Sequence, residues 1–203
     1  MVNIFSFIVF AVCLIIAITI HEFSHALIAD KLGDPTPRSQ GRLSLNPLRH
    51  LDLVGTLMLF LVHFGWGKPV PIDPYNLKNP KKDEMLISIA GPASNLILAT
   101  ILSLIIRFIP LNSLVIILLS NLIELNILLA IFNLIPIPPL DGSKILLNLL
   151  PNDISQQWEA AFNQYGFILL IIFLFLPIIN GNTLISVIIT PIMGFITKLL
   201  LGY

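Results

Sequence analysis

The sequence predicts an all-α polytopic membrane protein with about five transmembrane helices, and two observations support this fold class. Hydrophobic residues make up 56% of the 203 residues and charged residues only 11%, whereas soluble domains have roughly 25% charged residues. The apolar residues also fall into long runs, and a bilayer core of about 30 Å requires roughly 20 residues of helix. We therefore expect one integral membrane domain over residues 1–203.

The first helix is predicted from Met1 to about Lys31, where Gly33 and Pro35 follow and end it. The run from Met1 to Ile20 contains no Asp, Glu, Lys, Arg or His. No basic region or cleavage site marks a removable signal peptide, so we expect this helix to be retained as a membrane span. The other four spans are predicted at about 83–108, 113–134, 158–176 and 184–200.

The apolar stretch 51–64 is short for a span, because a full crossing requires roughly 20 residues of helix. Four Lys or Arg residues lie in 31–50 before it and four in 65–82 after it. Because basic residues favour the cytoplasmic side, we expect this stretch to be re-entrant, with a true span as the alternative. Five spans then place the N-terminus outside and the C-terminus inside, with Arg107 as the one basic residue on the outer side.

The segments on either side of this stretch indicate short β-strand or hairpin elements. Residues 41–47 alternate polar and apolar side chains, which predicts a short strand. Residues 65–80 are rich in Gly and Pro, which predicts a loop or hairpin.

The cytoplasmic part of the first span carries the pattern His21-Glu22-Phe23-Ser24-His25. Residues i and i+4 of a helix share one face, so His21 and His25 can bind one metal ion together. Glu22 lies beside that face and can accept a proton from a water molecule that the metal activates.

The motif lies deep in the membrane, because His21 precedes Lys31 by ten residues, or about 15 Å of helix. Ionisable groups at such depth are costly and usually functional. The alternative is an accidental motif, which would leave a carboxylate and two imidazoles buried without partners. We therefore interpret the motif as a metal site on the cytoplasmic side of the membrane.

A catalytic zinc site requires three protein ligands and one open position. We favour Asp141 as the third ligand, because prolines break the third span just before it, on the side nearer His21. The alternative role for Asp141 is that of a helix N-cap. The other candidates lie in or near apolar segments: His50, Asp52, His63 and Glu124. We interpret His50 and His63 as interfacial residues instead.

Several motifs together resemble the site-2 protease family of intramembrane zinc metalloproteases. They are H-E-F-S-H at 21–25, N-L-I-P-I-P-P-L-D-G at 133–142, G-P-A-S-N at 91–95, G-R-L-S-L-N-P at 41–47 and G-W-G-K-P-V-P at 65–71. The resemblance covers nearly the whole chain and is to the compact form without PDZ or CBS regions. It implies that His21, His25 and Asp141 bind one Zn²⁺ ion per chain and that Glu22 is the general base.

Two asparagines are weaker candidates. The resemblance implies that Asn133 positions substrate or stabilises the oxyanion; the alternative is that it satisfies carbonyls freed by Pro136. Asn95 follows Gly91 by about one turn, at a place where two helices can approach closely, and it either binds substrate or bonds across helices.

The predicted function is that of an intramembrane zinc endopeptidase in the cell membrane, acting on a transmembrane protein or peptide. Segments 41–47 and 65–71 could pair with an unwound substrate strand by β-augmentation. The alternatives are a non-catalytic protein of the same fold, against which the intact Glu22 argues, and a metal transporter, which would need more polar spans. The formal net charge of zero argues against a nucleic-acid partner, and no feature of the sequence sets an oligomeric state.

Overall fold

The structure, a computed structural model, describes residues 4–62, 65–179 and 182–202. It is mainly helical, and five helices are long and apolar enough to cross a membrane, as predicted. The helices and strands are α1 Ile4–Leu32, α2 Thr36–Ser39, α3 Leu53–Val62, α4 Pro80–Phe108, α5 Ser113–Asn133, α6 Asp141–Leu149, α7 Asn152–Phe175, β1 Pro177–Ile179, β2 Asn182–Thr183 and α8 Leu184–Leu201.

Helices α1, α4 and α5 pack against one another and form the part of the bundle that carries the site. Small residues allow their backbones to approach closely: Ala17, Ala99 and Ala130 are fully buried. Ile123 and Ile127 of α5 are also fully buried and fill the space between the helices. The site is therefore held by the best packed part of the molecule.

The short helix α3 has ten residues, or about 15 Å of helix. The chain on either side of it is held together, because Lys68 N donates to the His50 carbonyl at 2.7 Å and Leu51 pairs with Gly67 in an isolated antiparallel bridge. Asp52 Oδ1 accepts from Gly55 N at 2.8 Å at the start of the helix. Leu51 and Gly67, which flank α3 in sequence, are therefore neighbours.

The predicted strand over 41–47 is not formed; this segment consists of a turn and bends. Local hydrogen bonds replace strand pairing, because Ser44 N donates to the Arg42 carbonyl at 2.9 Å and Asn46 Oδ1 accepts from Leu48 N at 3.1 Å. Ser and Asn side chains compete with strand pairing in this way. In the described residues, β pairing occurs instead at the Leu51–Gly67 bridge and in the short antiparallel pair β1–β2.

The start of α1 and the end of α8 do not lie as five full crossings would place them, and the side of the membrane on which each chain end lies stays a prediction. The Arg107 guanidinium lies 3.6 Å from the position that a Cβ of Gly202 would occupy, so α8 ends beside the end of α4. Cys13 Sγ lies 3.9 Å from the Leu118 carbonyl, so the first half of α1 lies beside the first half of α5. The start of α1 and the end of α8 therefore lie at the same end of the bundle.

Among the five candidate spans, α7 is the least hydrophobic. Its first half, residues 152–164, contains eight polar side chains. The remaining 11 residues of the helix cover roughly 16 Å, whereas a bilayer core is about 30 Å thick.

Candidate metal centre

Three side chains converge where α1 meets the start of α6. Asp141 Oδ2 lies 3.0 Å from His21 Nε2 and 3.1 Å from His25 Nε2. The three ligand atoms all lie within 4.8 Å of one another, and both histidines are buried. Asp141 is the first residue of α6, whose N-cap is Leu140, and no side chain caps this helix. The structure thus brings Asp141 to the histidine pair, and the alternative N-cap role is not the one it has.

The orientation of His21 is set by a chain of buried amides. Asn126 Nδ2 donates to the Leu122 carbonyl at 2.8 Å, so Asn126 Oδ1 is free to accept from Asn95 Nδ2, also at 2.8 Å. Asn95 Nδ2 also donates to the Ala17 carbonyl at 3.0 Å, which turns Asn95 Oδ1 toward His21 Nδ1 at 2.7 Å. His21 Nδ1 must then carry the proton, and its Nε2 presents a lone pair to the centre.

This network gives Asn95 the contacts of its alternative role, and its predicted role in substrate binding stays a prediction. The Asn95 side chain is fully buried, and its oxygen and nitrogen are used by His21, Ala17 and Asn126. It bonds across three helices, and it holds the ring of His21, as the outer partner of a histidine ligand does at a metal site. Asn126 was missed as a member of the site, because its contact with Asn95 spans 31 residues of sequence.

His25 is oriented in the same way by a backbone group. Its Nδ1 lies 2.7 Å from the Ile87 carbonyl, which can only accept, so Nδ1 donates and Nε2 faces the centre with a lone pair. The Nε2 atoms of both histidines and the Asp141 carboxylate therefore converge on one point. Two histidines with one carboxylate form a set of ligands that suits zinc.

Gly91 allows α4 to pass directly beside the two histidines. A Cβ on Gly91 would lie 2.6 Å from both Cε1 and Nε2 of His21, and closer still to His25 Nε2. Real side chains do not tolerate such distances, so only glycine fits here. The G-P-A-S-N motif thus has two effects. Gly91 lets the backbone of α4 lie directly against His21 and His25. Asn95, one turn later, brings an amide group to the site.

The turn before α6 is equally tight. A Cβ on Gly142 would lie 2.5 Å from the Leu134 carbonyl carbon and closer to the carbonyl oxygens of Leu134 and Ile135. Ser143 Oγ donates to the Leu140 carbonyl at 2.7 Å and closes the first turn of the helix. The pair Asp141-Gly142 therefore places the ligand and permits the close turn that delivers it.

Glu22 lies beside the centre, next to a buried arginine that sequence reasoning did not identify. Glu22 Oε2 is 3.9 Å from Arg42 Nη2. Arg42 is only 4% exposed, and it donates to the Pro69 carbonyl at 2.9 Å and to the Lys68 carbonyl. The sequence signal for it is an arginine in the polar segment 34–50. That segment holds three arginines, and nothing in the sequence distinguishes Arg42 from the other two.

The other predicted ligand candidates lie elsewhere in the described part of the chain. His50 is fully buried, and its Nε2 donates to the Ser44 carbonyl at 2.6 Å; its predicted place at the membrane interface stays a prediction. Burial lowers the pKa of His50, which keeps the ring neutral. Asp52 caps α3, Glu124 is exposed on the outside of α5, and His63 lies outside the described residues.

The predicted role of Asn133 is not tested by the geometry and stays a prediction. Its Nδ2 donates to the Leu129 carbonyl of its own helix at 3.0 Å. Pro136 has no N–H to donate to the Phe132 carbonyl, four residues before it. Asn133 donates to the Leu129 carbonyl instead, so this hydrogen bond does not satisfy the carbonyl that Pro136 frees. The side chain is half-buried at the end of α5.

A cavity of about 330 Å³ opens between α4, α6 and α7. Ser88, three residues before Gly91, and Lys144, three residues after Asp141, both line it. The cavity therefore approaches the centre from the side of the bundle on which α4 begins. Two apolar residues of the extended 68–73 segment, Val70 and Ile72, form another wall.

Membrane-spanning helices around a three-ligand metal centre define a class of integral membrane metalloproteins, and comparison with known proteins identifies the class more closely. The model of peptidase family M50 matches residues 110–173, which include Asp141. The chain is 39% identical to YwhC of Bacillus subtilis (strain 168) over 82% of this chain and 80% of that protein. It is 31% identical to Rip2 of Mycolicibacterium smegmatis over 82% of this chain and 66% of Rip2.

A further relative is MJ0392 of Methanocaldococcus jannaschii, which is 29% identical over 68% of this chain and 33% of that protein. The words zinc metalloprotease stand in the names of all three relatives. No solved structure matches the chain. The chain belongs to the site-2 protease family, peptidase family M50. It is therefore a zinc protease, and His21, His25 and Asp141 are a group that fits the metal.

Proposed function

We propose that this protein is an intramembrane zinc endopeptidase that hydrolyses peptide bonds within or near the transmembrane segments of other membrane proteins. One observation carries the proposal: the lone pairs of His21 and His25 and the carboxylate of Asp141 converge inside the helical bundle, beside Glu22. His21 lies three helical turns before the end of α1, and Gly91 lies three turns after the start of α4. Both helices thus put the site about 16 Å below their ends.

His21, His25 and Asp141 would hold the zinc ion. Zinc, when bound, supplies a Lewis acid that polarises the scissile carbonyl and makes water acidic enough to be deprotonated near neutral pH. Glu22 accepts the proton of the attacking water and returns it to the leaving amine. The Asn133 amide is proposed to donate to the oxygen that becomes negative in the transition state, a contact worth about 3 kcal/mol in other enzymes.

The active site is proposed to open to the cytoplasm. Basic residues concentrate in the segments before α3 and before α4, which follows the positive-inside rule. The pairing of Leu51 with Gly67 supports the re-entrant arrangement, because the two residues flank α3 and must lie on one side. Helices α1, α4, α5 and α8 cross the membrane in this arrangement, and α7 enters it part of the way.

A substrate strand is proposed to pair along Val70 and Ile72. Residues 70–73 belong to neither a helix nor a strand. Val70 and Ile72 line the cavity that approaches the group of His21, His25 and Asp141. Main-chain pairing at such an edge binds an unwound peptide with little demand on its sequence. Segment 41–47, which is not a strand, no longer belongs to this surface.

The test uses the full chain, loaded with zinc in lipid vesicles, and a single-span peptide. The basic flank of the peptide is to lie on the same side of the membrane as residues 31–50 of the protein. We expect mass spectrometry to find new termini inside the apolar span, to lose them with a zinc chelator and to recover them when zinc is returned. Cleavage only at sites remote from the transmembrane segment would contradict the proposal.

The same vesicles separate the alternatives. A peptide that binds but stays intact with the zinc-loaded wild-type chain would favour a non-catalytic protein of this fold. Zinc that accumulates inside vesicles only when the protein is present would favour a transporter. Glu22→Gln should keep its zinc and lose cleavage under the proposal.

A further inference from the structure

We propose that Arg42 is a positioning residue for the general base Glu22 and that it couples this base to the 67–69 segment. The inference rests on the proposed function, in which Glu22 moves the proton. Arg42 touches none of the three metal ligands among the contacts of the described residues; it acts through Glu22 on one side and through the backbone of Lys68 and Pro69 on the other.

The guanidinium is fixed by the backbone that it binds. Nη1 donates to the Pro69 carbonyl at 2.9 Å and Nη2 to the Lys68 carbonyl. Lys68 N in turn donates to the His50 carbonyl at 2.7 Å, so the segment is anchored from both faces. Two bonds from a planar group to adjacent carbonyls leave it little freedom to rotate.

Glu22 meets this fixed charge from the other side. Its Oε2 is 3.9 Å from Arg42 Nη2, and both side chains are largely buried. At this separation the contact is electrostatic and is not a hydrogen bond. It therefore draws the carboxylate toward one position and leaves the oxygen lone pairs available to accept a proton from water.

The 67–69 segment also lies directly over the base. A Cβ on Gly67 would stand 3.5 Å from Glu22 Oε1 and 2.7 Å from Ile18 Cγ2. The segment thus lies beside Glu22 at Gly67, and Lys68 and Pro69 are linked to Glu22 through Arg42. A displacement of this backbone would therefore change the surroundings of the base.

The burial of Arg42 is better explained by this role than by stability. Arg42 Nε has no partner among the described residues although it is buried, and burying an incompletely satisfied guanidinium costs free energy. An apolar side chain would fill the same space at less cost. The arginine is explained if its charge is needed opposite Glu22.

The decisive variant is Arg42→Lys, which keeps the charge but cannot bind two carbonyls and face Glu22 with one ammonium group. We expect kcat to fall about 10- to 100-fold, the usual effect of a misplaced catalytic group, while KM and zinc content stay within about twofold. Arg42→Met, which removes the charge at similar length, should lower kcat further with zinc retained. Arg38→Lys is the matched control, because Arg38 pairs with Asp30 on the surface, and it should cleave like wild type.

An Arg42→Lys enzyme with wild-type kcat would overturn the inference, and so would a loss that lies wholly in KM or in zinc content. The first result would show that Glu22 needs no partner, and the second that Arg42 serves only substrate binding or the fold. If the wild-type chain itself does not cleave, the proposed function fails instead, so the two failures are distinguishable. Should Arg42→Met not bind zinc, Arg42→Lys still decides the question.

Discussion

His21 Nδ1 lies 2.7 Å from Asn95 Oδ1, and this contact joins a metal ligand on α1 to the middle of α4. It decides which ring nitrogen carries the proton, because both hydrogens of the Asn95 amide are already used by Ala17 and Asn126. The metal centre therefore depends on residues that touch no metal.

Asn95→Ala should weaken zinc binding about 10- to 100-fold, the usual effect of losing an outer partner of a histidine ligand. The ring of His21 would be free to rotate, and its Nε2 could acquire the proton. Competition with a zinc chelator measures the change. Asn121→Ala is the control, since the one hydrogen bond of the Asn121 side chain to a described residue goes to the Ile117 carbonyl of its own helix. Equal zinc affinity of Asn95→Ala and wild type would show that the amide network does not orient the ligand.

Gly91→Ala should abolish zinc binding, because the new methyl group would stand 2.6 Å from two ring atoms of His21. Either the ring or the whole of α4 must move, and packed helices do not move freely. Gly194→Ala is the matched control, since nothing lies within 4 Å of its Cβ position. It should keep its zinc and gain about 0.5–1 kcal/mol of stability from the better helix former. Zinc content and thermal unfolding report both results.

Asp34 should make stability fall at acidic pH. It is buried, and its carboxylate accepts from Thr36 N at 3.0 Å, Asn76 Nδ2 at 3.0 Å and Asp73 N at 2.8 Å. Burial acts to raise the pKa of Asp34, but these hydrogen bonds outweigh it and the pKa is lowered.

A lowered pKa in the folded state means that Asp34 stabilises the fold above the ordinary carboxyl pKa of about 3.9 and loses this effect as the pH falls through the folded value. The Tm of wild type in detergent with a chelator should therefore exceed that of Asp34→Asn near pH 7. The difference should shrink below about pH 4. A difference that stays constant over this range would refute the assignment.

The side of the C-terminus can be tested by labelling. Because Arg107 lies beside Gly202, cysteines placed at 107 and 202 should react with an impermeant thiol reagent from the same face of sealed vesicles. A cysteine at Lys78, just before α4, should react from the other face. The native Cys13 is buried and can be replaced by Ser or Ala as background. Reaction of residues 78 and 202 from one face would restore the topology expected from five full crossings.

The candidate spans and the group of His21, His25 and Asp141 were predictable because their signals are local in sequence or are marked by prolines. Long apolar runs set α1, α4 and α5, and the prolines before Asp141 mark an interrupted helix end near a deep metal site. Such signals depend on residues that are neighbours in sequence, and the structure follows them closely.

The supporting residues were not predictable for the opposite reason. Asn126 and Arg42 act through contacts 31 and 26 or 27 residues away along the chain, and nothing local distinguishes them from other Asn or Arg residues. The expected strand at 41–47 failed because side-chain hydrogen bonds of Ser44 and Asn46 outweighed the alternating pattern. The side of the membrane on which the C-terminus lies depends on whether α7, whose first half is polar, crosses completely, and it stays a prediction.

The most direct test of the central proposal measures zinc content and cleavage on the same sample of Glu22→Gln in lipid vesicles. The variant leaves His21, His25 and Asp141 intact and changes one carboxylate to an amide. We predict about one zinc per chain, as in wild type, and loss of cleavage of a single-span peptide by a factor of at least about 100. Cleavage at the wild-type rate with zinc bound would contradict the account, because Glu22 would then not be the group that moves the proton.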